Sequence, residues 1–102
     1  MSETLTIRQE VNEESAVLCL EGRVDTITAP ELETAIQEII EGITDMVIDL
    51  AEMDYISSAG LRVLLSAQKK MSKQGSLVIR NVRPEVMEIF EITGFTDILT
   101  IE

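Results

Sequence analysis

Hydrophobic residues recur along the chain with two spacings, one typical of β-strands and the other of α-helices. Five short apolar or alternating segments predict strands. They lie at 5–8, 16–20, 46–50, 77–79 and 98–101. Three further segments place apolar residues three or four positions apart, which predicts amphipathic helices with one buried face. They lie at 32–40, 61–71 and 84–93.

Residues at the ends of these segments indicate where the helices begin and end. Thr28 followed by Glu31 has the spacing of a capping box, so the first helix is expected to begin with the Thr28 hydroxyl as its cap. Pro84 suits the first turn of the third helix, because proline has no N–H to leave unpaired there. Gly42 and Gly94 are expected to end helices, since glycine readily adopts the left-handed conformation.

The elements follow the order β-β-α-β-α-β-α-β, which predicts an α/β fold. We expect an open, mixed sheet of about five strands with three helices packed on it. The length of 102 residues and a hydrophobic content of 45% favour one domain, spanning residues 1–102. Sites in such sheets gather at the carboxyl ends of the strands. The loop at Asp25 and Thr26 is therefore expected to lie beside the turn at Ser57 and Ser58.

The segment from Asp54 to Leu61 joins the third predicted strand to the second helix and contains two adjacent serines. A serine at a helix start can accept a hydrogen bond from a free backbone N–H, or it can carry a phosphoryl group that the helix dipole tolerates. Ala59 and Gly60 keep the turn small, so little side chain shields Ser58. Asp54 is expected to shape the turn by bonding to nearby backbone. Position alone leaves both roles open for the serines.

The chain is strongly acidic, with a formal net charge of −11 and a pI near 4.3. This charge argues against direct binding to nucleic acid or to anionic membranes. Six of the eight basic residues nevertheless lie between Arg62 and Arg83, a span without acidic residues. The lysines in it are expected to complement the C-terminal dipole of the second helix. Arg62 follows Ser58 by four residues, so the two are expected to share a helix face.

The composition also disfavours an enzyme or a metal site. The chain has no histidine, which excludes a serine–histidine–aspartate triad, and its single cysteine, Cys19, cannot form a cysteine metal cage. Its glycines are isolated, and Asp25, Asp49 and Asp54 fit no metal-ligand spacing. We therefore expect no catalytic residue, no metal and no cofactor. No apolar run approaches the ~20 residues that span a bilayer and no leader is recognisable, so a cytoplasmic protein is expected.

Four stretches of the sequence resemble the pattern of STAS domains, in particular that of the small anti-sigma factor antagonists of bacteria. The central stretches are IDL at 48–50 and DYISSAGLRVLL at 54–65, and the outer ones are EGRVD at 21–25 and ITGF at 92–95. The resemblance extends over nearly the whole chain and implies the STAS fold, which has the order of elements predicted above. It also implies that Ser58 is the phosphorylated serine. Ser57 is the less favoured site, since some members of the family carry aspartate there.

The resemblance further implies a partner-switching function. The unphosphorylated protein would bind an anti-sigma factor that is also a serine kinase, and would thereby release a sigma factor for transcription. Phosphorylation of Ser58 would end this binding until a serine phosphatase restored it. The free protein is expected to be a monomer without direct contact to nucleic acid or membrane. The residues expected to contact the partner are Asp25, Thr26, Asp54, Ser57, Ser58, Ala59, Gly60 and Arg62.

Two alternative functions remain open. One is a STAS scaffold, or a subunit of a signalling or transport assembly, that is not phosphorylated and uses Ser58 only as a helix cap. The other is a sensor that binds a nucleotide or another small anion at the helix start near Arg62.

Overall fold

The computed structural model describes residues 5–102. Within them the chain forms five strands, three α-helices and one 3-10 helix, in the predicted order. The strands are β1 (Leu5–Asn12), β2 (Ser15–Val24), β3 (Asp45–Ile56), β4 (Ser76–Arg80) and β5 (Thr100–Ile101). The helices are α1 (Ala29–Ile39), α2 (Ser58–Ser72) and α3 (Pro84–Thr93). None of these described helices is both long and apolar enough to cross a membrane.

The five strands form one sheet in the order β1-β2-β3-β4-β5. The first two strands pair antiparallel through a tight turn in which Glu13 has a φ of 57°. All later pairings are parallel. Each parallel step needs a crossover, and the three helices supply them, so the carboxyl ends of β2, β3 and β4 lie at the same edge. The predicted mixed, open sheet is confirmed.

The helices cover one face of the sheet and form the core with it. Leu18 on β2 and Ile48 on β3 are fully buried, in one cluster with Leu32 of α1, Leu64 of α2 and Phe90 of α3. The intervening residues of these strands are half-buried or exposed. This period of two is the pattern of strands that pack on one side only. The molecule is 33 × 32 × 20 Å across, and the short dimension fits two layers.

The third strand is longer than the apolar pattern predicts. The sequence predicted a strand at 46–50 followed by a polar turn, whereas β3 continues to Ile56 and only Ser57 separates it from α2. Beyond Asp49 the strand has no partner on β4, but it remains paired to β2 until Val24 lies opposite Ile56. Most residues of this extension are exposed, so their polarity reflects a strand that faces solvent rather than a turn.

The first helix begins where the sequence predicts, but not for the predicted reason. Thr28 is the N-cap residue of α1, yet its side chain makes no hydrogen bond to the helix. The predicted capping box with Glu31 is therefore wrong. The helix also ends earlier than expected, with Ile40 as its C-cap and Gly42 in the turn that follows.

The third helix has the predicted ends, whereas the last strand is shorter than predicted. Pro84 lies in the first turn of α3, and Gly94 ends the helix with a φ of 81°. The strand expected at 98–101 is reduced to Thr100–Ile101, because the chain first forms a 3-10 helix at Phe95–Asp97.

Gly60 lets the first turn of α2 approach the sheet closely. A Cβ atom at this position would lie 2.6 Å from Cγ1 of Val24 and 2.7 Å from Cγ1 of Ile56. Both side chains are branched and almost fully buried, so neither can rotate away at low cost. Glycine is required here because the packed side chains leave no room for a methyl group.

We expect Gly60→Ala to lower the free energy of unfolding by about 1–3 kcal/mol, the usual effect of overpacking a core site. Alanine has the higher helix propensity, so a loss of stability would report the steric clash. Urea unfolding followed by circular dichroism measures it. Ser66→Ala, at an exposed position of α2, is the control and should change stability by less than about 0.5 kcal/mol. A Gly60→Ala protein as stable as the wild type would contradict this close packing.

Candidate functional site

The candidate site lies at the carboxyl ends of β2 and β3, which are adjacent and parallel. The ladder between them ends with Val24 opposite Ile56. One further bond joins the segments that leave the strands, since the N–H of Ser57 donates to the carbonyl of Val24 at 2.8 Å. The structure thus places the β2–α1 loop, residues 25–28, beside the two serines, as the order of elements predicted.

Ser57 and Ser58 occupy different positions at the start of α2. Ser57 is the N-cap residue, with extended backbone, and its hydroxyl oxygen accepts a hydrogen bond from the N–H of Gly60 at 3.4 Å. Ser58 is the first residue of the helix and is exposed. Within residues 5–102 its hydroxyl makes no hydrogen bond. Of the two roles that the sequence left open, capping is therefore taken by Ser57, and the hydroxyl of Ser58 has no partner in the described chain.

The start of α2 is a favourable position for negative charge, although the protein as a whole is acidic. Its first turn contains no acidic residue, and the helix dipole adds positive potential from free N–H groups. Arg62 lies one turn after Ser58, is exposed and has no carboxylate within 4 Å in the described chain. By contrast, four other basic residues form ion pairs: Arg23, Lys70, Arg80 and Arg83. The surface around Ser58 can therefore accommodate an anionic group.

The carboxylate of Asp25 holds the β2–α1 loop in place. Its Oδ1 atom accepts hydrogen bonds from the backbone N–H groups of Thr28 at 3.0 Å and Ile27 at 2.9 Å. These bonds, that of Thr28 foremost, hold the pKa of the Asp25 carboxyl below its ordinary value, although desolvation acts in the opposite direction. The hydroxyl of Thr28 donates to the carbonyl of Arg23 at 2.8 Å and accepts from the N–H of Asp25 at 2.9 Å. This use of the hydroxyl explains why it does not cap α1.

Arg23 links the ends of β2 and β3. Its guanidinium lies 4.6 Å from the centre of the Tyr55 ring and 3.8 Å from the carboxylate of Asp25. Arg23 and Tyr55 are opposite each other in the ladder, so the stacking follows from the register of the strands. The strand predicted at 16–20 ended before Arg23, because no local pattern specifies which residue lies across a parallel ladder.

The expectation that Asp54 shapes the turn before Ser57 is wrong. Asp54 lies within β3, and its carboxylate accepts a hydrogen bond from Arg83 at 2.8 Å. The Nε of Arg83 also donates to the carbonyl of Ala51 at 2.8 Å, so this side chain occupies the edge of β3 that β4 leaves unpaired. Sequence reasoning missed Arg83, since its partners lie 29 and 32 residues earlier in the chain.

The three aspartates considered as a cluster are held by separate partners. Asp25 bonds within its own loop. Asp49 accepts hydrogen bonds from Arg80 at 3.4 Å and from Asn81 at 2.9 Å. Asp54 accepts one from Arg83, which directly precedes α3. In the part of the chain that the structure describes, no three acidic or cysteine side chains converge as metal ligands would. The carboxylates near the serines therefore have structural partners of their own.

A groove of about 460 Å³ opens between the start of α1 and the first turns of α2. Its lining residues are Thr26, Ala29, Pro30, Glu33, Ala59, Arg62, Val63 and Ser66. The groove brings together Thr26 of the β2–α1 loop with Ala59 and Arg62 of α2, all of which the sequence singled out. Sequence reasoning missed Ile27, which follows Thr26 at the tip of the loop and is strongly exposed.

Comparison with known proteins identifies close relatives. A family model described as the STAS domain matches residues 6–102. BtrV of Bordetella bronchiseptica, a candidate anti-sigma factor antagonist, is 41% identical over 87 residues, which cover 83% of this chain and 75% of BtrV. The anti-sigma-B factor antagonist of Listeria monocytogenes is 37% identical over 84 residues, which cover 79% of this chain and 73% of that protein.

Solved structures share the fold. An anti-sigma factor antagonist from Mycobacterium paratuberculosis matches with a TM-score of 0.87 at 25% identity, over 96% of this chain and 85% of that one. Unphosphorylated SpoIIAA matches with a TM-score of 0.81 at 19% identity, over 95% and 88% of the two chains. Phosphorylated SpoIIAA of Bacillus matches with a TM-score of 0.73 at 18% identity, over 95% and 91%. The arrangement of sheet and helices is therefore that of a known fold.

We expect Ser57→Ala to lower the free energy of unfolding by about 0.5–2 kcal/mol, because it removes the side-chain cap of α2. Ser58→Ala is the matched control at the neighbouring, exposed position, and its stability should lie within about 0.5 kcal/mol of the wild type. Urea unfolding measures both variants. Equal losses, or a larger loss for Ser58→Ala, would show that the cap is not supplied by Ser57.

The lowered pKa of Asp25 predicts how the loop responds to acid. Because the folded-state pKa lies below the unfolded one, the carboxylate stabilises the loop fully above the ordinary aspartate pKa. This contribution is lost as the pH falls through the folded-state pKa. In an NMR titration, the amide signals of Ile27 and Thr28 should therefore shift together with the Asp25 carboxyl, at a pH below the ordinary range. The Asp25→Asn protein, whose side chain does not titrate, should lack this transition. A carboxyl that titrates at the ordinary value would refute the assignment.

Proposed function

This chain belongs to the STAS domain family, and we propose that it is an anti-sigma factor antagonist controlled by phosphorylation of Ser58. The unphosphorylated form binds an anti-sigma factor that is also a serine kinase, and thereby frees a sigma factor for transcription. The kinase transfers the γ-phosphoryl group of ATP to Oγ of Ser58, ADP leaves as the bond between it and the γ-phosphorus breaks, and the hydroxyl proton passes to a base of the kinase. The complex then separates. A serine phosphatase hydrolyses the phosphoserine and restores the binding form.

The position of Ser58 carries this proposal. Its hydroxyl is exposed on the first residue of α2, and no residue of the described chain binds it. Ser57 supplies the cap, so a kinase can reach Ser58 without breaking the start of the helix. Ser57 itself is half-buried and bonded to Gly60, which makes it the poorer phosphoryl acceptor.

The relatives support the same function. BtrV and the Listeria protein both carry the name of an anti-sigma factor antagonist, and each aligns with about four fifths of this chain. SpoIIAA has the same fold and has been solved in an unphosphorylated and a phosphorylated form. In that protein, therefore, one fold exists with and without the phosphoryl group.

Energetics favour a switch that acts on binding rather than on folding. In the free chain, a phosphate on Ser58 lies at a helix N-terminus, where negative charge is stabilised by roughly 0.3–1 kcal/mol. In a complex, the same group has to be desolvated against the partner, which costs several kcal/mol if it is not compensated. Each 1.4 kcal/mol changes affinity about tenfold. Phosphorylation therefore releases the partner while the fold persists.

We assign the partner surface to the two loops and the groove between them. Thr26, Ser58 and Arg62 are exposed and can touch a partner directly, with Ala59 half-buried among them. The other residues expected there act by holding this surface in shape. Asp25 orders the loop, Ser57 caps the helix, Gly60 permits the close approach of the helix, and Asp54 anchors the end of β3 through Arg83.

The catalytic groups and the ATP site belong to the kinase in this proposal. The chain has no histidine, and the carboxylates of Asp25 and Asp54 already have structural partners. A net charge of −11 favours a protein partner over nucleic acid or an anionic membrane. We place the free protein in the cytoplasm as a monomer that joins its partner transiently.

We expect phosphorylation of Ser58 to weaken partner binding at least tenfold, because the phosphate must be desolvated in the complex. The partner is the anti-sigma kinase that a Ser58→Ala chain retains from an extract of its own cells, purified and identified by mass spectrometry. Calorimetric titration compares the wild type, the phosphorylated protein, Ser58→Ala and Ser58→Asp. The wild type and Ser58→Ala should bind, whereas the phosphorylated and aspartate forms should bind weakly and keep native circular dichroism.

Ser57→Ala is the matched control for the modification. Peptide mapping across residues 45–70 should find one phosphoryl group on Ser58 in the wild type and in Ser57→Ala, and none in Ser58→Ala. A phosphorylated protein that binds as tightly as the wild type would contradict the switch. No phosphate on Ser58 under any growth condition would favour the scaffold function, and thermal stabilisation by a nucleotide alone would favour the sensor.

A further inference from the structure

Ile27 is the most exposed large apolar side chain of residues 5–102, at 81%. Single exposed apolar residues are common on soluble proteins and do not by themselves indicate a binding surface. Ile92, which is 78% exposed near the end of α3, is such a residue. Location distinguishes Ile27 from it.

The location of Ile27 is next to the surface that surrounds Ser58. Its neighbour Thr26 lines the same groove as Ala59 and Arg62, which belong to the first turns of α2. The isoleucine therefore follows a lining residue of the groove directly in the β2–α1 loop. The start of α3, at Pro84, lies at this edge of the sheet. Ile92 lies roughly 12 Å further along the same helix.

The loop holds Ile27 firmly although the side chain itself touches little. Its backbone N–H donates to the carboxylate of Asp25 at 2.9 Å. The next residue, Thr28, is buried, and both its N–H and its hydroxyl are bonded. Isoleucine is branched at Cβ and has few rotamers. A partner that covers this side chain therefore loses little affinity to the ordering of the loop or of the side chain.

We propose that Ile27 is an apolar anchor that inserts into a hydrophobic socket on the anti-sigma partner. The inference rests on the function proposed above, because it assigns the same partner to the surface beside Ser58. In this arrangement, burial of the Ile27 side chain in the partner contributes affinity, and phosphorylation of Ser58 controls whether the partner binds. A phosphate on Ser58 then lies beside a socket that excludes water, where its desolvation is unfavourable.

The test is a pair of isoleucine substitutions that differ only in location. Ile27→Ser should weaken binding to the purified anti-sigma kinase by roughly tenfold to a hundredfold, the range that follows from the burial of one isoleucine side chain. The heat-capacity change of binding should also become less negative. Ile92→Ser, at a similarly exposed position, should bind within about twofold of the wild type. Ile27→Leu keeps an apolar side chain of the same size and should restore most of the affinity.

The outcomes separate the anchor from the proposed function. If Ile27→Ser binds as tightly as the wild type while phosphorylation of Ser58 still weakens binding, the anchor is overturned and the function stands. If Ile92→Ser loses as much affinity as Ile27→Ser, the anchor is also overturned, because location would then not matter. If the wild-type chain binds no anti-sigma factor, both proposals fail. Thermal unfolding of each variant should match the wild type, since both side chains are exposed.

Discussion

The parallel ladder between β2 and β3, which continues to Val24 and Ile56 after β4 has ended, is the contact on which the site depends. It places the segment leaving β2 against the segment entering α2, and the N–H of Ser57 joins them by bonding to the carbonyl of Val24. The start of α2 then lies directly on these two buried side chains, which leaves room only for glycine at position 60. The proximity of the two loops, the depth of the helix and the positions of both serines all follow from this register.

In the proposed function, the adjacent serines separate stability from regulation. If a single serine both capped the helix and carried the phosphate, each phosphorylation would remove the cap and disturb the fold. Ser57 takes the cap here, so a charge can be added to Ser58 at the surface alone. The neighbouring loop is equally fixed, because Asp25 and Thr28 hold it from within. Under the proposed function, a partner therefore meets a surface that is already arranged, and the phosphate changes its chemistry rather than its shape.

Several features of the protein depend on contacts within one segment, and these could be predicted from the sequence. The periods of two and of 3.6 residues specify which side chains must be buried, so they predicted the elements, their order and an open sheet with helices packed on it. Pro84 and Gly94 indicated the ends of α3 through their own backbone preferences. The run of residues 54–65 was sufficient to locate the two serines at a helix start, because the amphipathic helix pattern begins directly after them.

Other features were decided only by the tertiary structure, because they join segments that are distant in the chain. The register of β2 against β3 places Arg23 opposite Tyr55, on whose ring it stacks. Pairing with β2 also extends β3 through polar residues that the sequence predicted to form a turn. Because β4 ends early, Arg83 bonds to the unpaired edge of β3. It also binds the carboxylate of Asp54, which the sequence predicted to bond to the backbone of a turn. By itself, then, the sequence determined the fold class and the site's place in it. The partners of Arg23 and of Asp54, and the exposure of Ile27, depend on the neighbours that folding brings together, and a local pattern cannot specify those neighbours.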